Sequence, residues 1–386
     1  MKRRDLLAGG AACWACSLVH SAWAQTPADL DYAMPDRLTQ PDPASDEGGL
    51  WALMDREERS LRRSPFAVRD GGLKAYVQDV ACRLGGDHCP DLRIHLVRTP
   101  VFNATMSPNG MMQLWTGLLL RIENEAQLAA VVGHEIGHYL QRHTVDRLRD
   151  IKARSAFGQF LGLFGLAGAV GQLAVLASAF AYSRDHEREA DRIGAILMHQ
   201  AGYDVAEASR VWGNLLDELK ARGQDPELIS PLFATHPAPP ERRETLAAYA
   251  AALPGGSAGD AAYETGTGRF LDEWLDDEVK RAQYAETLVL LSRLLTRRSG
   301  QGVIHLHRGD VYRLRGEKGD VDLAMADYQA AIRSADAPPR AYRGIGLTAR
   351  QLGQKTEAVA ALSRYLELAP DAPDARLIGT YVAELR

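Results

Sequence analysis

The sequence predicts an α+β fold: a mostly helical domain with a small sheet, followed by an all-α array of helix pairs. Three observations carry this expectation. Amphipathic helical periodicity recurs along most of the chain. Strand signals cluster in 92–120, where "LRIHLVR" alternates and Pro108-Asn109-Gly110 separates two apolar arms as a hairpin turn. Near the C-terminus, Ala324, Tyr328 and Ala331 precede Ala358, Leu362 and Tyr365 by 34 residues each, which is the tetratricopeptide period. The chain has 386 residues, 46% of them apolar, enough for two or three domains with sizeable cores. A formal net charge of −5 without a strong basic block argues against a nucleic-acid partner.

Residues 1–24 read as a signal peptide: Lys2, Arg3 and Arg4 lead into an apolar run that ends in Ala22-Trp23-Ala24. Cleavage after Ala24 and export to the periplasm are expected. Arg3-Arg4 leaves twin-arginine and Sec export both open. Residues 25–49, rich in Pro, Asp and Gly, read as an extended arm. The main domain is expected over 50–253, opening with amphipathic helices at 50–62 and 72–84. Cys82 and Cys89 are the two cysteines beyond the signal. An oxidising compartment favours a disulfide between them, and the intervening Gly-Gly lets the loop close; two free thiols are the alternative.

A helix is expected over 124–143, with Asn124 as N-cap and Gln127 as its capping-box partner. Ser155 to Ser183 holds no charged residue but five glycines. The favoured reading is a buried helical hairpin or loop over a site; peripheral membrane contact is the rival. Helices follow at 184–200, 205–222 and at the end of 231–253. Residues 254–267 break in composition and read as a linker. Residues 268–386 then stack as a repeat solenoid, beginning with helices at about 268–283 and 285–298.

Chemistry concentrates in "VVGHEIGHYLQRH", residues 131–143. On a helix His134 and His138 lie one turn apart and can reach one metal, with Glu135 beside them as base. Zinc suits two imidazoles and a carboxylate, and it acidifies water to a pKa near about 7. His143 falls about 140° round a continuous helix from His138 and is expected to hydrogen-bond locally. A third ligand must come from "SRDHEREAD". Glu187 and Asp191 share a helix face, which suits a ligand and an acceptor that orients a ligating histidine; His186 is the alternative ligand, and Glu189 should face solvent.

These motifs resemble the HtpX/CAAX-prenyl-protease-like zinc metallopeptidases, and the signal peptide and repeats bring the chain nearest the periplasmic BepA-like group. "HEIGH" and "SRDHEREADRIG" carry the resemblance, with "FNATMSPNGMMQLWTGLL" and "THPAPPERR". Asn109 stands where that family usually has Gly. The resemblance implies a gluzincin-type fold with one Zn2+ per subunit, Glu187 as third ligand and Glu135 as general base. It also implies a substrate strand pairing with an edge strand near Asn103 and Ala104. Arg242 is expected to anchor a loop or the substrate backbone. His236 has three readings: oxyanion donor, fourth ligand that closes the site, or plain loop histidine. The expected function is a zinc endopeptidase acting on misfolded or stalled envelope proteins, docked by its repeats to clients or to an outer-membrane assembly complex. The alternative is an envelope chaperone or assembly scaffold with a largely dormant metal site.

Overall fold

The computed structural model describes residues 30–153, 182–223, 236, 241–298 and 300–386. The expected signal peptide, nearly all of the uncharged 155–183 segment, and Thr235 and Pro237 lie outside the described residues. The remainder is mostly helical, with one small sheet.

The first two helices are α1 (Asp46–Arg63) and α2 (Gly71–Gly85). Ser45 caps α1 and Asp70 caps α2, each accepting a backbone N–H of the first turn. The expected arm therefore ends before residue 46, because Ser45 starts the helix earlier than the apolar pattern does. The rest of the arm is held down. Tyr32, Met34 and Leu38 pack on the main core, Pro35 O contacts His88 Nε2 at 2.9 Å, and Arg37 pairs with Asp91. Cys82, in the last turn of α2, is disulfide-bonded to Cys89, with their Cα atoms 4.6 Å apart.

Three strands form the sheet: β1 (Arg93–Val97), β2 (Ala104–Met106) and β3 (Met111–Trp115), in the order β1-β3-β2. The central β3 pairs in parallel with β1, Arg93 opposite Met111, and antiparallel with β2, Ala104 opposite Leu114. The outer side of β1 is covered by residues 66–68, which bond to Leu96 and Arg98. The hairpin ladder includes bonds from Trp115 N to Asn103 O and from Ser107 N to Met111 O. By the antiparallel alternation, Ala104 and Met106 turn their N–H and C=O groups away from β3.

Next come α3 (Thr116–Arg121), α4 (Glu125–Leu140), α5 (His143–Ala153), α6 (Arg184–Gln200), α7 (Ala206–Lys220) and α8 (Glu241–Ala252). Every residue of α4 is buried, so this helix is the axis of the domain. Asn124 caps it through the Gln127 N–H, as the sequence pattern requires; the Gln127 side chain returns to Glu123 N, one residue before the cap. The helix expected to continue through residue 143 stops at Leu140. Arg142 adopts a left-handed backbone, with φ of 55°, and its side chain pairs with Glu47 of α1. The periodicity of the sequence continues across this break, so the pattern alone conceals it.

The segment expected as a linker, 254–267, is part of the folded body. It contains α9 (Asp260–Thr267), and Tyr263 within it is fully buried and donates to Leu119 O. Seven helices complete the chain: α10 (Leu271–Lys280), α11 (Tyr284–Arg297), α12 (Gln301–Arg315), α13 (Asp320–Arg333), α14 (Pro339–Gln351), α15 (Lys355–Leu368) and α16 (Ala375–Leu385). The residues at 34-residue spacing are all buried between these helices. Leu271, Trp274, Leu290 and Ile304 belong to the same apolar core as α2 and α4, so glycine-rich composition at 254–259 does not mark a break in packing. Among the described residues no helix is long and apolar enough to cross a membrane.

Candidate metal centre

The two helices that carry the motifs cross where both present small residues. A Cβ on Gly194 would lie 2.9 Å from His134 N, and one on Gly137 would lie 3.0 Å from Ala190 Cα and O. Only glycine allows the backbones of α4 and α6 to approach this closely. The approach brings His134, His138 and Glu187 together.

The donor atoms converge. His134 Nε2 lies 3.1 Å from His138 Nε2 and 3.5 Å from Glu187 Oε2, and His138 Nε2 lies 3.3 Å from Glu187 Oε1. His236 Nδ1 joins them, 3.2 Å from His134 Nε2 and 3.0 Å from Glu187 Oε1. All four residues are buried and form one donor cluster. Zinc bonds of about 2.0–2.1 Å in a tetrahedral shell put neighbouring donors about 3.3–3.4 Å apart. The observed separations fit that shell, and three imidazoles with one carboxylate are a borderline-soft set suited to zinc.

Glu135 points into the same space. It is 1% exposed, and neither carboxylate oxygen has a hydrogen-bond partner among the described residues; its Oε1 makes an ion-pair contact with His236 Nε2 at 3.5 Å. A buried carboxylate without partners is costly, and a water between it and the donor cluster would satisfy it.

Around the donors lies a layer of orienting groups. Asp191 Oδ1 is 2.9 Å from His134 Nδ1, which holds the proton there and leaves Nε2 free to ligate. Arg242 grips Asp191 through two bonds of 2.7 Å, pairs with Glu187 Oε2 at 3.1 Å and stacks over Trp212 at 4.0 Å. Its guanidinium thus lies inside the protein against Asp191, Glu187 and Trp212, where it braces the ligand residues. On the other side, Tyr182 stacks on the His138 ring at 3.8 Å and bonds to Thr144. His143 Nδ1 lies 2.9 Å from His138 Nδ1, and Glu189 Oε2 is 3.2 Å from His143 Nε2. Glu189 is partly exposed but is bonded inward, which the helical wheel did not indicate. His186 stays out of the donor cluster and stacks on His143 at 4.2 Å.

The electrostatics favour charged carboxylates. Burial opposes ionisation of Glu187, but the charges of His236 and Arg242 outweigh it and hold the group well below the usual carboxylate range. Burial likewise opposes the charge on Asp191, and Arg242 and His134 overcome it. Burial pushes His138 well down, in line with a neutral, ligating imidazole. Burial would lower His236 also, but Glu187 and Glu135 raise it. His143 is pushed down to about 4, by burial first and then by the charge of His186.

Asn103 and Ala104 sit at the start of the edge strand β2, whose Met106 lines a narrow crevice with His138, Tyr139, Arg142 and Thr144. Asn103 Oδ1 is buried without a hydrogen-bond partner. Sequence reasoning missed the orienting roles of Tyr182, Trp212 and Glu189. No local motif marks the first two, and Glu189 is disguised by its exposed helix position.

Comparison with known proteins places this geometry. Residues 67–250 match the model of peptidase family M48. The chain is 28% identical over 232 residues to the beta-barrel assembly-enhancing protease of Escherichia coli K12, covering 56% of this chain and 46% of that protein. It is 32% identical over 152 residues to the mitochondrial metalloendopeptidase OMA1 of Arabidopsis thaliana, covering 39% and 30%. With the human mitochondrial metalloendopeptidase OMA1 it shares 31% identity over 167 residues, covering 40% and 31%. The chain thus spans less than half the length of these relatives.

Proposed function

Because residues 67–250 match the model of peptidase family M48, we propose that this protein is a zinc-dependent endopeptidase of the cell envelope. The observation that carries the reading is the buried Glu135 carboxylate, without a hydrogen-bond partner among the described residues, beside the converging His134, His138 and Glu187 donors. Those three residues would hold the ion, with Asp191 and Arg242 fixing their orientation. Zinc, when bound, supplies a Lewis acid that lowers the pKa of water to about 7 and polarises a carbonyl. Glu135 takes the proton of the attacking water on its carboxylate and returns it to the departing amine. The outward N–H and C=O groups of Ala104 and Met106 receive an extended peptide as an added strand, and Asn103 offers a further acceptor beside them. Such backbone pairing suits unfolded polypeptides of varied sequence.

The expected signal peptide and the Cys82–Cys89 bond support a periplasmic location. Misfolded or stalled envelope proteins are the substrates we propose, in keeping with relatives named beta-barrel assembly-enhancing proteases. The helices of 268–386 are tetratricopeptide repeats in this reading, and they dock clients or an outer-membrane assembly complex.

Glu135→Gln tests the reading. Hydrolysis of an unfolded outer-membrane protein should fall by about 10²–10⁴-fold, while the zinc content of the purified chain stays at one per subunit. Retained hydrolysis would sink the proposal.

One observation favours a second reading, that of a largely dormant site on an assembly scaffold. His236 supplies a fourth donor, and a four-coordinate zinc has no open position. Assembly assistance that survives Glu135→Gln would identify scaffolding. We favour His236 as a gate on a working enzyme, so His236→Ala should raise proteolysis. Lost activity would instead make it an oxyanion donor, and no change would leave it a loop residue.

A further inference from the structure

Among the described residues, the partner of the outer ring nitrogen of His138 is an imidazole, not a carboxylate. Asp191 fixes the tautomer of His134, but the Nδ1 of His138 faces another imidazole, His143, at 2.9 Å. Two facing ring nitrogens make a hydrogen bond only if one carries the proton and the other presents its lone pair. When His138 gives its Nε2 lone pair to a metal, its proton sits on Nδ1. His143 must then accept at Nδ1 and carry its own proton on Nε2, where Glu189 Oε2 accepts it at 3.2 Å. The opposite arrangement would place a proton on His138 Nε2, aimed at the donor cluster, and would leave His143 Nε2 without a proton for Glu189. The buried His143 thus has one tautomer that satisfies all its partners, and that tautomer prepares His138 to ligate.

We propose that His143 is a positioning residue, which with Glu189 behind it selects the metal-ready tautomer of His138. The inference rests on the reading of the cluster as a zinc site. The break after Leu140 builds the relay: Arg142 turns left-handed and returns His143 to the His138 ring, where a continuous helix would carry it away. His186 stacked on His143 at 4.2 Å and Tyr182 stacked on His138 hold the two rings in the edge-on arrangement, 74° apart, in which their Nδ1 atoms meet.

The test measures zinc affinity of the full-length chain by competition with a chromophoric chelator, without reference to activity. His143→Leu removes the acceptor and should weaken zinc binding about 10–100-fold. His143→Asn keeps an acceptor oxygen near the Nδ1 position and should recover most of the loss. In the zinc-loaded wild type, NMR should show a hydrogen-bonded Nδ1–H on His138, and this signal should vanish in the leucine variant. If His143→Leu does not fold by circular dichroism, His143→Gln, whose amide lies one bond further out, takes its place. Unchanged zinc affinity in the folded variant overturns the inference, as does equal loss in His143→Asn and His143→Leu. A wild-type chain that takes up no zinc would instead overturn the metal reading itself.

Discussion

Glu58 in α1 collects two guanidinium partners, Arg93 at 2.7 Å and Arg62 at 2.6 Å, and a ring nitrogen of His95 at 2.9 Å. Burial alone would raise its pKa, but the bonds from His95, Arg93 and Arg62 reverse the sign and hold the carboxyl far below its usual range. A depressed folded-state pKa contributes stability that is present above the unfolded value of about 4.3 and is lost as the pH falls below it. Glu58→Gln should therefore unfold at lower urea than wild type at pH 7, and the gap should narrow between pH 5 and pH 3. A gap that stays constant over that range would refute the assignment. Metal loss at low pH is common to both proteins and cancels in the difference. Arg242 is a second buried charge at the centre: expected to anchor a loop or the substrate backbone, it pairs with Asp191 and Glu187 and stacks over Trp212.

At the scale of elements, the crossing of α4 and α6 decides whether the donors meet. Gly194→Ala would set a Cβ 2.9 Å from His134 N, a backbone atom that cannot rotate away. Overpacking of this kind costs about 1–3 kcal/mol, and here it also displaces a ligand. The variant should lose both unfolding free energy and zinc affinity. Gly379→Ala in α16, where nothing lies within 4 Å, is the control: it should leave zinc binding intact and stabilise slightly, by up to about 1 kcal/mol. Equal behaviour of the two variants would remove the close approach from the explanation. The caps at Ser45, Asp70 and Asn124 are short-range chemistry and are legible in sequence. The stop after Leu140 is not, because it depends on Glu47, 95 residues away, pairing with Arg142.

Across the whole molecule, a buried charge cluster ties the helices around the donor cluster to the C-terminal helices. Arg121 of α3 is 2% exposed and bonds Glu218 of α7 at 2.6 Å, Glu278 of α10 at 2.9 Å and Glu286 of α11 at 3.1 Å. Arg281 and Arg293 complete the neutralisation. Burial raises the pKa of Glu218 despite these cations, whereas the charges of Arg121 and Arg281 overcome burial at Glu278 and lower it. Arg121→Met would leave three buried carboxylates short of a cation and should cost about 3–5 kcal/mol in urea unfolding. Limited proteolysis should then cut first between residues 253 and 284, where the repeats join. An unfolding midpoint within error of wild type would contradict the cluster's role. This junction fixes the C-terminal helices to the body that holds the donor cluster through packing and charge, so the glycine-rich stretch before it works as a bend rather than a hinge.

Local pattern in the sequence is enough for the class of fold and the small hairpin sheet, and it names His134, His138 and Glu187 as candidate ligands while leaving His236 with three readings. Each rests on spacing within one element or on a local turn, and such spacing survives in a linear string. Tertiary structure alone decided what surrounds those residues. That His143 returns to His138, that Arg242 faces inward, and that residues 254–267 belong to the body all depend on partners more than 40 residues away or on a single left-handed residue. Contacts of that kind are set by which helices can approach one another, and here two glycines at one crossing make that choice.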